Sequence, residues 1–256
     1  MKIAGFFNKP LSWVGLKLTR LSVVQQLQHV QPVNHSDIEK DIRFMSVYHQ
    51  VAPYTLVSIE RAYALYQSVR YILENNIPGD FAECGVWKGG SCMQIALQLK
   101  QAGISGRSIW MYDTFSGMTR PGTEDGEAEK KEWAARETEP GKTDWCVATK
   151  EEVKQNMLLT GYPEELIRLV EGRVEDTIPR TCPEALALLR LDTDWYSSTL
   201  HELTNLYPVL NQGGILLIDD YGAWEGARKA TDDYFQGKRD VFMQRIDYTG
   251  RLLIKR

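Results

Sequence analysis

An α/β fold, a mostly parallel sheet with helices on both faces, is predicted for residues 51–256. Three observations predict it. Short apolar runs alternate with helix-period segments, the first run opens into a glycine-rich turn, and three later runs each deliver an aspartate at their end.

In chain order, Leu56, Ile59, Ala62, Leu65, Val69 and Ile72 recur every three or four residues, so Thr55 to Asn75 reads as an amphipathic helix stopped by Asn75-Asn76. Gly79 to Val86 reads as a strand running into the turn, and Ser91 to Lys100 as the helix after it. Further strands are expected at Ser108 to Tyr112, Leu166 to Glu171, Ala185 to Leu191 and Gly214 to Ile218, with helical patterns between them. Right-handed crossovers make such strands parallel, and ligands of open α/β sheets bind at their carboxyl ends. Asp113, Asp192 and Asp219 stand at three of those ends.

Residues 116–145 interrupt the pattern with Gly, Pro and both signs of charge, and read either as a solvated insertion or as a lid over the site. Residues 1–50 read as an N-terminal arm or cap. The first 36 residues hold four Lys and Arg and no carboxylate, interleaved with Phe6, Phe7 and Trp13. One reading is peripheral membrane contact through residues 1–30. Pro10 and Gly15 break the helix pattern, which favours an arm that caps the site or packs on another subunit.

The chain has 256 residues, enough for one large core, and 43% hydrophobic content to fill it. A net charge of -4 gives no pull toward nucleic acid. Cys84, Cys92, Cys146 and Cys182 form no CxxC pair, and His29, His35, His49 and His201 are scattered, so reduced thiols and no zinc site are expected. No run reaches the roughly 18 apolar residues of a membrane span, and no export signal is visible, which points to the cytoplasm.

In Glu83-Cys-Gly-Val-Trp-Lys-Gly-Gly-Ser91 the glycines allow a ligand to approach the backbone, Ser91 opens the helix, and Glu83 suits a ligand with an amino group. The spacing is not the GxGxxG of dinucleotide enzymes, which weakens a nicotinamide-dependent oxidoreductase as an alternative. Asp113 can accept from ribose hydroxyls. Leu191-Asp192-Thr193-Asp194 and Ile218-Asp219-Asp220 bring carboxylates from adjacent strands to one edge, a set of hard oxygens that suits Mg²⁺ or a similar divalent ion.

Gly79-Asp-Phe-Ala-Glu-Cys-Gly-Val-Trp-Lys-Gly-Gly-Ser91, Tyr112-Asp-Thr-Phe-Ser-Gly117, Leu191-Asp-Thr-Asp-Trp-Tyr-Ser-Ser-Thr199 and Ile218-Asp-Asp-Tyr-Gly222 together resemble the macrocin O-methyltransferase family, over roughly residues 50 to 236. The resemblance implies a class I, Rossmann-like methyltransferase sheet, S-adenosylmethionine as donor, magnesium-dependent transfer to a sugar hydroxyl, and a homo-oligomer. It places Glu83, Gly85 and Ser91 around the methionine part and Asp113 at the ribose, with Ser116 among the donor-binding residues. Val174 and Glu175 fall at the adenine, and Thr55 near the donor. It assigns the metal to Asp192, Asp219 and Asp220, with Asp192 also reaching the donor. Trp145 and Cys146 match a motif of that family whose role the residues do not explain. The metal arrangement is also similar to that of catechol O-methyltransferases, but Trp195 stands where those enzymes carry a lysine base. A catechol-like acceptor is therefore the alternative substrate. Asp192, Asp194 or His201 remains as the candidate base.

Overall fold

The computed structural model describes residues 34–256. The chain divides into two compact units, residues 1–39 and 40–256. The described part of the first is short, with one helical turn at Ser36–Glu39; the basic stretch at residues 1–30 lies outside the described residues.

The second unit opens with α1 (Ile42–Val51), capped by the Asp41 carboxylate, which accepts the Phe44 N–H. Helix α2 (Ile59–Glu74) follows; it starts later than its apolar pattern suggests because the Ser58 hydroxyl caps it by accepting the Arg61 N–H. Strand β1 (Asp80–Cys84) leads through the glycine turn into α3 (Gly90–Gln101), and β2 (Ile109–Asp113) ends at the expected aspartate. The insertion then forms α4 (Glu127–Ala135) and a small hairpin, β3 (Glu137–Glu139) with β4 (Lys142–Thr143). After it come α5 (Lys150–Leu158), β5 (Ile167–Glu171), α6 (Val174–Thr177), β6 (Leu186–Leu191) and α7 (Tyr196–Asn205). The chain closes with β7 (Leu210–Ile218), α8 (Glu225–Phe235), β8 (Gln244–Arg245) and β9 (Arg251–Ile254).

The main sheet has the order β5-β2-β1-β6-β7-β9-β8. Its first five strands are parallel, as expected, while β9 and β8 turn antiparallel at one edge. Those two strands carry no sequence signal because runs of two and four residues do not alternate long enough to read. The strand order reverses between β1 and β6, which opens a crevice at their carboxyl ends.

The inner strands are apolar on both sides because both sides are covered. On one face Phe81, Ile109, Met111, Leu188 and Leu217 pack against Leu65, Val69 and Ile72 of α2, Ile95 and Leu99 of α3, and Met157 of α5. On the other, Ala82, Cys84, Leu189, Leu191, Leu216 and Ile218 pack with Leu203 of α7. Among the described residues no helix is long and apolar enough to cross a membrane.

One charged residue breaks the apolar run of β6. Arg190 is 3% exposed and lies directly opposite Glu83 of β1. Its guanidinium donates to Glu83, to the Asp219 carboxylate just past β7, and to Asp192 at 2.7 Å. Arg61 of α2 reaches Asp219 from the helix layer and also pairs with Asp247 at 3.1 Å. A buried cation costs several kcal/mol in lost hydration unless it is paired and hydrogen-bonded in this way. The row therefore ties the ends of β1, β6 and β7 together.

Gly85 fixes the same edge from the backbone. It sits at φ 78°, and a Cβ there would lie 2.0 Å from the Asp192 carbonyl oxygen. Arg190→Met, which leaves Glu83 buried without its countercharge and Asp219 with Arg61 alone, is expected to lower unfolding free energy in urea by about 3–5 kcal/mol; a loss under about 1 kcal/mol would show that the row carries no such weight. Gly85→Ala should cost about 2–4 kcal/mol in the same assay, since neither the backbone angle nor the opposing carbonyl can yield cheaply. Unchanged stability would contradict that close packing.

Candidate active site

A cavity of about 310 Å³ opens at the carboxyl ends of β1, β2, β6 and β7. Thr55, Glu83, Gly85, Ser91, Asp113, Val174, Glu175 and Asp192, all expected around a donor, line it. Two other expected residues do not. Ser116 is exposed and gives its N–H to the Thr114 hydroxyl at 3.3 Å. His201 sits further along α7, where its Nε2–H donates to the Ile178 carbonyl at 2.9 Å, so it is a helix-anchoring residue outside the cavity lining rather than a base within it.

The glycine turn is held by Asp113. Its Oδ2 accepts from the N–H groups of Val86 at 2.8 Å and Trp87 at 3.1 Å, and its Oδ1 accepts from Phe115 at 2.8 Å. Oδ2 is then saturated; the Thr114 hydroxyl also lies 3.5 Å from Oδ1 but gives its proton to the Gly117 carbonyl at 2.7 Å, so Oδ1 keeps a lone pair for one incoming hydroxyl. Gly90, at the start of α3, lets the Tyr54–Thr55 backbone approach so closely that a Cβ would meet the Tyr54 oxygen at 2.5 Å. This brings Thr55 beside Ser91. Burial pushes the Glu83 carboxyl up to about 7 against the pull of Arg190, and the Cys92 thiol donates to it at 2.8 Å.

The acidic edge is built by strand pairing that runs past the strand ends. Asp192 N–H bonds to Cys84 O, and Asp219 N–H to Leu191 O, both at 2.9 Å. Asp192, Asp194 and Asp220 each place an oxygen within 4.8 Å of the others. Asp219, expected to join Asp192 and Asp220, is instead paired by both Arg190 and Arg61. Its carboxyl is pushed up to about 6 by burial, with Arg190 opposing. Asp194 occupies φ 68°, and the Trp195 N–H bonds back to the Thr193 oxygen at 2.8 Å, a three-residue turn rare for a non-glycine residue. Burial, together with the Asp192 charge, holds the Asp194 carboxyl well above the usual range; burial and the charges of Asp194 and Asp192 do the same to Asp220. Three carboxylates gathered this closely repel one another unless a proton or a cation lies among them. Hard oxygens in that state fit a small divalent cation.

The remaining wall comes from the insertion and from indoles. Gly117, Met118, Thr119 and Trp145 of the insertion, and Cys146 just after it, line the cavity with Trp195 and Trp224. Asp125, 4% exposed, accepts from the Tyr196 N–H at 2.8 Å, and the Trp195 indole donates to the Thr119 carbonyl at 2.8 Å, so the insertion is bonded to the start of α7. The Cys146 thiol is pushed up to about 11 by burial and by Asp194 and Asp192, which favours the neutral thiol. Arg61, Arg190, Asp125 and Trp224 are the site residues that sequence reasoning missed. Only Arg190 had a readable signal, a lone arginine inside an apolar strand that must find a counterion.

The demethyldecarbamoylnovobiocin O-methyltransferase of Streptomyces niveus is 31% identical over 228 residues, covering 88% of this chain and 85% of that protein. The 8-demethyl-8-(2,3-dimethoxy-alpha-L-rhamnosyl)-tetracenomycin-C 4'-O-methyltransferase of Streptomyces olivaceus is 34% identical over 199 residues, covering 77% of this chain and 74% of that protein. The solved structure of the O-methyltransferase NovP superposes with a TM-score of 0.71 at 30% identity, covering 79% of this chain and 82% of that one. The macrocin O-methyltransferase (TylF) family model matches residues 11–255, so the likeness extends into the arm that the motifs left out. The chain is an enzyme of the macrocin O-methyltransferase family.

Proposed function

We propose that the protein moves a methyl group from S-adenosylmethionine to a hydroxyl of a sugar moiety on a natural product or glycan precursor, with a divalent cation such as Mg²⁺ held by Asp192 and Asp220. The observation that carries this reading is the junction, in one cavity, of the Gly85 turn with the Asp192, Asp194 and Asp220 carboxylates. A relative whose name specifies O-methylation of a rhamnosyl-bearing substrate supports the sugar.

The residues divide the work by position. Glu83 and Ser91 receive the polar methionine end of the donor, Asp113 the ribose, and Val174 and Glu175 the adenine. Asp194 accepts the proton of the attacking hydroxyl. It is better placed than Asp192, one oxygen of which already binds Arg190 at 2.7 Å. A cation at this site would gather two neighbouring acceptor oxygens and make one of them a stronger acid. Residues 116–145 exclude water by lying across the acceptor side. Where catechol-type enzymes use lysine, the buried Trp195 indole is committed to Thr119, so it offers no base for a phenol. We further read the enzyme as a cytoplasmic homo-oligomer.

Turnover is followed as S-adenosylhomocysteine released from S-adenosylmethionine in the presence of rhamnosides and nucleotide-linked rhamnose. Chelator should abolish release while calorimetry still detects donor binding, and Asp194→Asn should lower kcat by about 10² or more with donor affinity kept. Full turnover in chelator would sink the cation, and an unimpaired Asp194→Asn would sink the base.

A further inference from the structure

Trp145, Trp195 and Trp224 come from three separate segments and meet at one corner of the cavity. Ring centroids are 5.4 Å apart for Trp195 and Trp224, 5.6 Å for Trp145 and Trp224, and 6.4 Å for Trp145 and Trp195. Trp195 is buried and meets the other two nearly edge to face, at 76° and 85°, so it backs the corner. Trp145 and Trp224 remain half-buried.

The corner is continuous with the acidic cluster. Trp195 follows Asp194 directly, and the Trp224 N–H donates to the Asp220 carbonyl at 2.9 Å. Trp145 is fixed from the insertion, its N–H donating to the Thr143 hydroxyl at 3.0 Å and its carbonyl accepting from Met118 at 3.1 Å. Asp125 locks that insertion to α7. Indoles gathered beside carboxylates form a surface that is apolar on one side and strongly acceptor-lined on the next. A pyranose has the matching shape, with a C–H face that is apolar and a rim of hydroxyl donors.

We propose that this corner is the platform for the acceptor sugar: the C–H face of the ring lies on the Trp145 and Trp224 indoles while two neighbouring hydroxyls turn toward Asp192, Asp194 and Asp220. The inference rests on the sugar reading above and adds the residues that recognise the ring. The negative face of an indole attracts the polarised C–H groups, and the two indoles, inclined at 52° to each other, form an angled wall that fixes which edge of the ring meets the carboxylates. Trp145 thereby acquires the role that sequence alone left blank.

Saturation-transfer NMR on the full chain tests it, with indole N–H resonances irradiated and methyl α-L-rhamnopyranoside as probe, in the presence of S-adenosylhomocysteine and MgCl₂. Ring C–H protons should receive saturation in the wild type. Trp224→Ala and Trp145→Ala should each weaken the rhamnoside by about tenfold or more, Trp224→Phe should recover part of that loss, and S-adenosylhomocysteine affinity should stay at the wild-type value in all three. A rhamnoside that binds both alanine variants as tightly as wild type overturns the platform and leaves the sugar reading standing. A protein that takes up catechol but no rhamnoside overturns both.

Discussion

The guanidinium of Arg190 is the constraint on which the catalytic edge depends. A charge in the middle of a fully covered strand has no water to turn to, so its partners must come from the neighbouring strands. Glu83 answers from β1, Asp219 from the end of β7 and Asp192 from the next turn of its own strand. Arg61 then balances Asp219 from the helix layer. What these two arginines do not balance are Asp194 and Asp220, which crowd against Asp192 in the same cavity. The carboxylates left without an arginine are gathered where the Gly85 turn ends, which is where the proposed cation would sit.

Much of this was legible in the sequence because strand ends are legible. Apolar runs that stop at Asp113, Asp192 and Asp219 gave both the parallel sheet and the edge that holds the site. Glycine signals were equally direct, since Gly85 has an angle and a neighbour that no other residue tolerates. The two antiparallel edge strands and the β3–β4 hairpin were hidden, being too short to show a period. Helix α4 lay inside a run whose charges masked it, and only Glu129 and Trp133 of that helix are buried.

Within the site the errors have a common cause. Sequence places residues on elements but does not say which side of a helix or turn they face. His201 was a candidate base by type, yet its imidazole donates to the Ile178 carbonyl, and Ser116 is exposed and outside the lining of the cavity that Asp113 lines. Conversely, Asp125 looked like one more surface carboxylate in an acidic stretch, and it is 4% exposed and holds the insertion to α7. Trp195, which departs from the lysine of catechol-type enzymes, becomes intelligible as structure: a buried indole bridging the insertion to the acidic turn.

Manganese can report on the cation site directly, since its electron paramagnetic resonance signal disappears on binding. Titrating Mn²⁺ into wild type and Asp220→Asn, each with S-adenosylhomocysteine present, isolates the carboxylates from the acceptor. One tight ion per chain in wild type, lost in Asp220→Asn while S-adenosylhomocysteine still binds, is the expected result. A wild type that holds no ion, or an Asp220→Asn variant that holds it equally well, would contradict a cation centre at Asp192 and Asp220.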